Sequence, residues 1–311
     1  MKKGTLCISL DTELIWGRVH LHNIDSFKSR ARKDWKTIPE ILTLLKKYSA
    51  PATWAVTGHM MLKSCDGCHL DLVRPRYKNQ EFDWFKYDPG TDEKQNPDWY
   101  GKSLFLKIKS TPKQEIASHT YSHFFWGQEG CTHESAESDM NAWIRVAKSY
   151  GITATSFVFP KNSVGHLSLL KKNGFTTYRG PDINWFSTAP NIFKHILQIL
   201  DFVLPVSPSS VKVSKNAGLI NIPGSYYFPS ARGIRKYIPK GLRAYKAKRG
   251  IDNAIKKGEI FHLWSHPIDF ADQTSKLMYD FEEILSYANK KVEEGKLEIK
   301  SMKEISLSYK N

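Results

Sequence analysis

Two histidines four residues apart, His119 and His123, follow a short strand-like stretch at 115–117. Imidazole is the commonest protein ligand of transition metals, and on a helix this spacing would place both rings on one face. Far upstream, an apolar stretch ends at Asp11 and Glu13, whose side chains would share one side of an extended chain. Histidines and carboxylates that each follow a buried strand indicate a hydrolytic metal site.

The elements that must hold these residues alternate between strand-like and helix-like segments. Strands are predicted at 4–11, 53–57, 114–118, 153–159, 175–178 and 260–265, and helices at 34–48, 134–150, 164–173, 249–257 and 274–294. This alternation predicts a parallel sheet covered by helices, either barrel-like or doubly wound. In a barrel the carboxyl ends of the strands converge, so that residues distant in sequence can build one site.

Two segments resemble a known family. Residues 118–123 are similar to the His-(Ser/Thr)-x-x-His metal motif of the polysaccharide deacetylases (the NodB-homology family, carbohydrate esterase family four), and residues 52–58 to their second-strand signature. The resemblance implies a distorted, incomplete (β/α)7 TIM-like barrel of the glycoside hydrolase/deacetylase type. We expect a single domain over residues 1–311 with excursions at about 64–112 and 187–250.

The resemblance also implies roles for individual residues. Asp11 would be the catalytic base and His266 the general acid, while Glu13, His119 and His123 would bind a divalent metal. Zinc is the expected ion, with cobalt, manganese, nickel and iron as alternatives. The family usually has two adjacent aspartates, whereas this chain inserts Thr12 between the acids and lengthens the second to glutamate.

The third family motif is altered. The chain keeps Pro160, but Val158 stands where the family has an arginine that orients the base. Lys161 or Asn162 could take over that role.

The fourth motif keeps Trp185 and has Asn184 at the usual acid position, with Asp182 nearby. Arg179 could pair with a carboxylate or contact an anionic substrate group, and Trp264 would share a strand face with His266. These residues are candidates for substrate binding or for tuning the site. Trp126 and Trp185 are candidates for stacking on a sugar ring.

The formal net charge of +15 points to an anionic partner. Basic residues concentrate at 232–249, but no nucleic-acid-binding module accompanies them, so no nucleic acid partner is expected.

The apolar stretch 192–204 is too short to span a bilayer. It is typical of a buried helix, or could form with the basic run a shelf on an anionic membrane. Four cysteines and the lack of a signal peptide at the start favour a cytoplasmic protein, either free or peripheral at a membrane.

Residues 65–69, Cys-Asp-Gly-Cys-His, spell a haem attachment motif. Covalent haem of this type requires export, and a lone CxxC pair is a poor structural zinc site. We interpret the segment as a loop in which this spelling is a coincidence.

The leading hypothesis is therefore a hydrolase that removes an N-acetyl group from an amino sugar or glycan during surface polysaccharide or glycoconjugate biosynthesis. The substrate could be anionic or linked to a carrier. One alternative keeps the site but cleaves another non-peptide carbon–nitrogen bond, as in a cyclic imide or ureide. Others are ferrous-iron oxygen chemistry and a non-catalytic, basic protein that binds glycans or a membrane surface.

Overall fold

One sheet of ten strands organises the part of the chain that the computed structural model describes, namely residues 2–21, 23–78, 83–183, 186, 190, 192, 197, 200–202, 204 and 206–309. The strands are β1 (Gly4–Thr12), β2 (Ala52–Val56), β3 (Gln114–Ser118), β4 (Ser156–Val158), β5 (Thr177–Arg179), β6 (Ser214–Asn216), β7 (Leu219–Asn221), β8 (Tyr226–Tyr227), β9 (Ile260–Ser265) and β10 (Leu297–Ile299). The helices are α1 (Asp25–Arg32), α2 (Asp34–Lys47), α3 (Lys102–Ser110), α4 (His133–Ser149), α5 (Leu167–Lys172), α6 (Leu242–Lys257), α7 (Thr274–Glu293) and α8 (Met302–Ser308).

The sheet runs in the order β6-β7-β5-β4-β3-β2-β1-β9-β8, and β10 pairs with the first residues of β1. All neighbours are parallel except β6 and β7. Within the described ranges β6 and β8 remain the two edges, so the curled sheet is an incomplete barrel. Because its parallel strands share one direction, their carboxyl ends meet at one rim.

Apolar residues at the expected periods explain these elements. Strand β1 is buried along nearly its whole length, as expected of a strand covered on both faces. Helix α2 buries Ile38, Ile41 and Leu45, which lie three or four residues apart and therefore share one stripe. Helices that cover the sheet in this way hold its strands in place, and with them the residues at the rim.

The structure departs from the predicted elements at several places, and α1, β6, β7 and β8 were not predicted. The helix expected at 249–257 begins already at Leu242, because Ala244, Ala247 and Ile251 extend its buried stripe into the basic run. The short helix α8 near the C-terminus was not predicted. The excursion at 64–112 contains α3 and is otherwise irregular.

Part of the basic run serves the fold. The side chain of Arg243 is 1 % exposed and donates hydrogen bonds to the carbonyl oxygens of Pro229 and Ser230. Lys246 is equally buried, and its Nζ lies 3.1 Å from Asp201 Oδ2. Much of the apolar stretch at 192–204 lies outside the described residues, and none of the described helices is long and apolar enough to cross a membrane.

Candidate active site

A cleft of about 210 Å³ opens at the rim where the parallel strands end. Residues from or after β1, β3, β4, β5 and β9 line it, together with the turn that follows β1. The lining residues are Asp11, Glu13, Gly17, Arg18, His20, His119, His123, Lys161, Asn162, Arg179, Trp264 and His266. The structure thus brings together residues up to 255 positions apart, as converging strand ends require.

Glu13, His119 and His123 form a buried triad with one ligand atom from each residue within 4.8 Å of the others. The Nε2 atom of His123 lies 2.9 Å from Glu13 Oε2, and the Nε2 atom of His119 lies 3.4 Å from the same oxygen. All three side chains are at most 4 % exposed. Two imidazole nitrogens and one carboxylate oxygen are the donor set of many catalytic zinc sites, which leave further positions open.

The triad fits a divalent cation in its hydrogen bonding as well. The Nδ1–H of His119 donates to the carbonyl oxygen of Val158 at 2.9 Å, which directs the lone pair of Nε2 toward Glu13. Burial lowers the pKa of His123 to about 4, so its ring is neutral and can act as a ligand. No donor is aligned for a hydrogen bond with either buried Glu13 oxygen among the described residues, as expected of oxygens that face a cation.

The two histidines do not lie on a helix, although their spacing would suit one. Residues 119–123 form a loop in which Thr120 and His123 have positive φ angles of 62° and 64°. Buried Asp139 of α4 holds this loop, because its two carboxylate oxygens accept hydrogen bonds from the backbone N–H groups of Tyr121 (3.0 Å) and Ser122 (2.9 Å). The rings therefore converge through an anchored turn and not through helical spacing.

Asp11, at the end of β1, forms a buried two-point ion pair with Arg179. The Nη1 atom of Arg179 lies 2.7 Å from Asp11 Oδ1, and its Nη2 atom lies 2.6 Å from Oδ2. Burial raises the pKa of the Asp11 carboxyl, but the adjacent guanidinium outweighs it and holds the value below its usual range. Asp11 is therefore ionised and fixed in orientation at neutral pH.

Arg179 comes from the strand next to the one that carries the arginine in the family pattern. Val158 of β4 is the register partner of Arg179 on β5, so the two side chains lie on the same face of the sheet in neighbouring strands. Asn162 contributes its Oδ1 as a 3.3 Å acceptor for Arg179 Nη2, while the Nζ of Lys161 lies 4.3 Å from the centre of the Phe125 ring. The cation beside Asp11 is thus Arg179, with Asn162 as an accessory contact.

His266 follows β9 and faces both carboxylates of β1. Its Nε2 atom lies 3.9 Å from Asp11 Oδ2 and 4.0 Å from Glu13 Oε1. Its Nδ1 lies 2.8 Å from Asp269 Oδ2, and that oxygen also accepts a hydrogen bond from the Tyr227 hydroxyl. Burial lowers the pKa of His266, but the carboxylates of Asp269 and Glu13 outweigh it and raise the value above the usual one.

The remaining predicted residues surround this centre. Trp264 lies under the Arg179 guanidinium at 4.4 Å and donates from Nε1 to Asp182 Oδ2 at 3.1 Å. Burial raises the pKa of Asp182 to about 6. Pro160 is buried at the start of the turn after β4. Trp185 lies outside the described residues.

Trp126, a candidate for sugar stacking, lies in the core. It is 1 % exposed and packs against Phe157 and Phe159 at centroid distances of 4.9 and 6.1 Å. A ring so covered has no face for a substrate, so Trp126 is a core residue and not a stacking platform.

Three cleft residues beside Glu13 were not predicted as site residues. Arg18 lies in the short helical turn after β1, and its Nη1 is 3.1 Å from Glu13 Oε1. Gly17 leaves room for that carboxylate, because a Cβ at this position would lie 1.9 Å from Glu13 Oε1. His20 completes the wall. The only sequence signal was their closeness to the acidic pair.

Comparison with known proteins supports the resemblance. The sequence model of the polysaccharide deacetylase family matches residues 33–178, whereas no curated protein sequence matches the chain. The fold is similar to that of a Mycobacterium smegmatis protein assigned as a polysaccharide deacetylase (TM-score 0.60, 13 % identity), with 100 % of this chain and 91 % of that chain covered.

Two further structures share the fold. One is a Pseudomonas aeruginosa PAO1 protein assigned as a polysaccharide deacetylase, with a TM-score of 0.62, 13 % identity and coverage of 98 % of this chain and 90 % of that one. The other is the PuuE allantoinase, with a TM-score of 0.62, 11 % identity and coverage of 98 % and 89 %. At such identities the structures show the barrel fold, and the family match covers residues 33–178. Together they support a divergent member of the polysaccharide deacetylase family.

Proposed function

We propose that this protein is a metal-dependent hydrolase that removes the acetyl group from an N-acetylated amino sugar or glycan. The observation that carries the proposal is the juxtaposition of two groups in one cleft. An ionised carboxylate, Asp11, and a histidine with a raised pKa, His266, lie 3.9 Å apart beside the Glu13–His119–His123 triad. Hydrolysis of an unreactive amide needs a base for water, an acid for the leaving nitrogen and a stabilised oxyanion.

Glu13, His119 and His123 would hold the metal. When bound there, a divalent ion would supply Lewis acidity toward water and toward the acetyl carbonyl oxygen. Zinc is our expectation, since two imidazoles and one carboxylate suit it. The loop anchored by Asp139 keeps the two imidazoles in place for this role.

Asp11 is the proposed base. It would accept a proton from the attacking water on an oxygen lone pair that Arg179 does not use, because each carboxylate oxygen has two acceptor sites. The two-point contact with Arg179 holds the carboxylate plane fixed while this transfer occurs. The Trp264 ring covers one face of the Arg179 guanidinium and shields the ion pair from water.

His266 is the proposed acid. Its Nδ1 proton is held by Asp269, so Nε2 is the atom that would donate a proton to the departing amine nitrogen. The carboxylates of Asp269 and Glu13 raise the pKa of His266 and so favour the protonated ring, which is the form this role requires.

The substrate side of the cleft carries positive charge. Lys161 lines it in addition to Arg18 and Arg179, which pair with Glu13 and Asp11. This favours an acetylated sugar that bears an anionic group or an anionic carrier, such as a phosphate-linked lipid or a nucleotide. We therefore propose a cytoplasmic enzyme of surface polysaccharide or glycoconjugate assembly, consistent with four free cysteines.

Contact with a membrane surface is a separate part of the proposal. In the basic run Arg232, Lys236 and Lys240 are exposed, and Ile234 and Tyr237 beside them are 60 % and 73 % exposed. Such a patch could bind anionic headgroups. We expect vesicles of anionic lipid to carry the protein upward in flotation at low salt, and an unchanged distribution would rule this part out.

The test of the activity is acetate release from a panel of N-acetylated amino sugars, free and as nucleotide conjugates. We expect release with zinc present, loss on treatment with chelator, and loss in Asp11→Asn. Asp71→Asn is a matched control, because Asp71 is an exposed carboxylate that pairs with Arg145 and does not line the cleft. Bound metal without hydrolysis of any amide would refute the proposed activity and favour a binding role.

The same panel should contain a cyclic ureide. The fold is similar to that of the PuuE allantoinase, and a cyclic ureide is the alternative substrate that we propose to compare. Ureide hydrolysis that exceeds acetate release would overturn the sugar substrate and keep the proposed residues.

A further inference from the structure

A second cluster of metal-ligating side chains lies outside the cleft. It consists of His59, which follows β2, and Cys65, His69 and Asp88 of the excursion before α3. One ligand atom from each lies within 4.8 Å of the others. None of the four lines the candidate active site.

The geometry within this cluster is tight. The Nε2 atoms of His59 and His69 lie 3.1 and 2.6 Å from the same oxygen, Oδ2 of Asp88. Cys65 Sγ lies 3.8 Å from His69 Nε2. Tetrahedral zinc with ordinary bond lengths would separate neighbouring ligand atoms by about 3.3–3.6 Å. These three distances lie within about 0.7 Å of that range, and the remaining distances among the four ligand atoms are at most 4.8 Å.

The side chains of His59, His69 and Asp88 are buried and Cys65 is half-buried, and neighbouring groups orient the Asp88 carboxylate. His59 is 0 % exposed, and neither of its ring nitrogens has a hydrogen bond of acceptable geometry among the described residues. The other oxygen of Asp88 accepts from the Tyr100 hydroxyl at 2.5 Å and from the Gly90 N–H at 3.2 Å, so Oδ2 is left to face the imidazoles. Hydrogen bonds of this kind fix metal ligands in proteins.

The loop around Cys65 is shaped to bring it beside Asp88. The Cys65 N–H donates to the Thr91 carbonyl, and Cys65 Sγ accepts from the Gly67 N–H at 3.4 Å. Gly90 has a φ of +59°, and a Cβ there would lie 2.9 Å from the Asp66 carbonyl oxygen. The close approach of the two turns thus depends on glycine.

We propose that His59, Cys65, His69 and Asp88 bind a structural zinc ion. One thiolate, two imidazoles and one carboxylate complete a tetrahedral shell, which is typical of a closed, structural site and suits zinc better than the harder divalent ions. Of the two cysteines and the histidine in residues 65–69, Cys65 and His69 take part, whereas Cys68 is exposed and does not. The other two ligands come from residues outside the motif.

The place of this site explains what the ion would stabilise. The His59 N–H donates to the carbonyl oxygen of Tyr121 at 3.0 Å, within the loop that carries His119 and His123. The Trp16 ring packs on the His59 ring at a centroid distance of 4.2 Å, and Trp16 begins the turn that contains Arg18. An ion bound to His59 would therefore brace two walls of the cleft while it leaves no position open for chemistry.

Metal content per chain tests the proposal directly. Protein purified under reducing conditions and supplied with zinc, followed by removal of free ion, should hold two equivalents, one for each cluster. Cys65→Ser should lose one equivalent, and His119→Ala should lose the other. Cys68→Ser is the matched control, since it changes the neighbouring thiol of the same motif, and it should keep both.

Cobalt substitution gives a readout that does not depend on a ligand variant folding. Cobalt-loaded wild type and Cys68→Ser should show a thiolate-to-cobalt charge-transfer band in the near ultraviolet, and His119→Ala should keep it. Absence of this band in cobalt-loaded wild type, or two zinc equivalents in Cys65→Ser, would overturn the proposal. A single zinc equivalent that His119→Ala removes and Cys65→Ser keeps would also overturn the proposal, while leaving the proposed activity intact. A single equivalent that Cys65→Ser removes and His119→Ala keeps would refute only the metal site of the cleft.

Discussion

The ion pair between Asp11 and Arg179 should be the strongest single coupling in the cleft. Arg179 is 1 % exposed, and its guanidinium makes two contacts of 2.6–2.7 Å with Asp11 and weaker ones with Ser9 and Asn162. Arg179→Met would leave the Asp11 charge buried without a partner. Breaking a buried pair in this way destabilises a protein by about 3–5 kcal/mol.

Two further variants separate the charge from the geometry. Arg179→Lys retains a cation but cannot make the two-point contact, so we expect a loss of about 1.5–3 kcal/mol, the range for one hydrogen bond to a charged group. Asp11→Asn combined with Arg179→Met removes both charges. We expect this double variant to be more stable than the sum of the single losses predicts, by at least about 1 kcal/mol.

Urea unfolding followed by circular dichroism measures these free energies, with chelator present in every sample so that metal binding does not contribute. Acetate release is measured on separate samples that contain zinc and no chelator. It should fall by at least about 100-fold in Arg179→Met, because the base loses its orientation. Single losses that add within about 0.5 kcal/mol in the double variant would refute the coupling. Normal acetate release by Arg179→Met would refute the positioning role of Arg179.

Three other variants test neighbouring parts of the site. Gly17→Ala would place a Cβ 1.9 Å from Glu13 Oε1, so it should abolish zinc binding in the cleft as measured by metal content; retained zinc would show that Glu13 is not a ligand. Asp269→Asn should lower kcat by about 10-fold or more, since it weakens the hold on His266; an unchanged kcat would argue against His266 as the acid. Asp139→Ala removes two acceptors from buried backbone N–H groups and should cost about 2–4 kcal/mol in urea unfolding, whereas a loss below about 0.5 kcal/mol would show that the loop does not depend on it.

Local sequence patterns were sufficient for the strands and for the family. The strands around Asp11 and His266 fall where the apolar runs predict them, because burial on both faces leaves a continuous apolar signal. The incomplete barrel is confirmed, and the family membership is supported. The roles of Asp11, Glu13, His119, His123 and His266 stay predictions that the experiments above address.

Local patterns were misleading where a loop replaces a regular element. The spacing of His119 and His123 suits a helix, but the backbone at Thr120 and His123 takes positive φ angles, which only tertiary contacts stabilise. The anchor is Asp139, a residue of another element whose ordinary surroundings in the sequence indicate nothing unusual. Likewise, nothing in the sequence of the basic run distinguishes Arg243, which is buried against backbone carbonyls.

The sequence by itself determined which chemical groups are available and that they follow strands whose carboxyl ends must meet. The tertiary structure alone decided which of them become partners. Arg179 replaces an arginine expected at Val158 because lateral pairing of β4 with β5 puts the two positions side by side, and no spacing along one strand contains that information. His59 and Asp88 meet Cys65 and His69 for the same reason. Periodicity records how each element faces the core, whereas contacts between elements depend on register and on loop closure, which short sequence motifs do not encode.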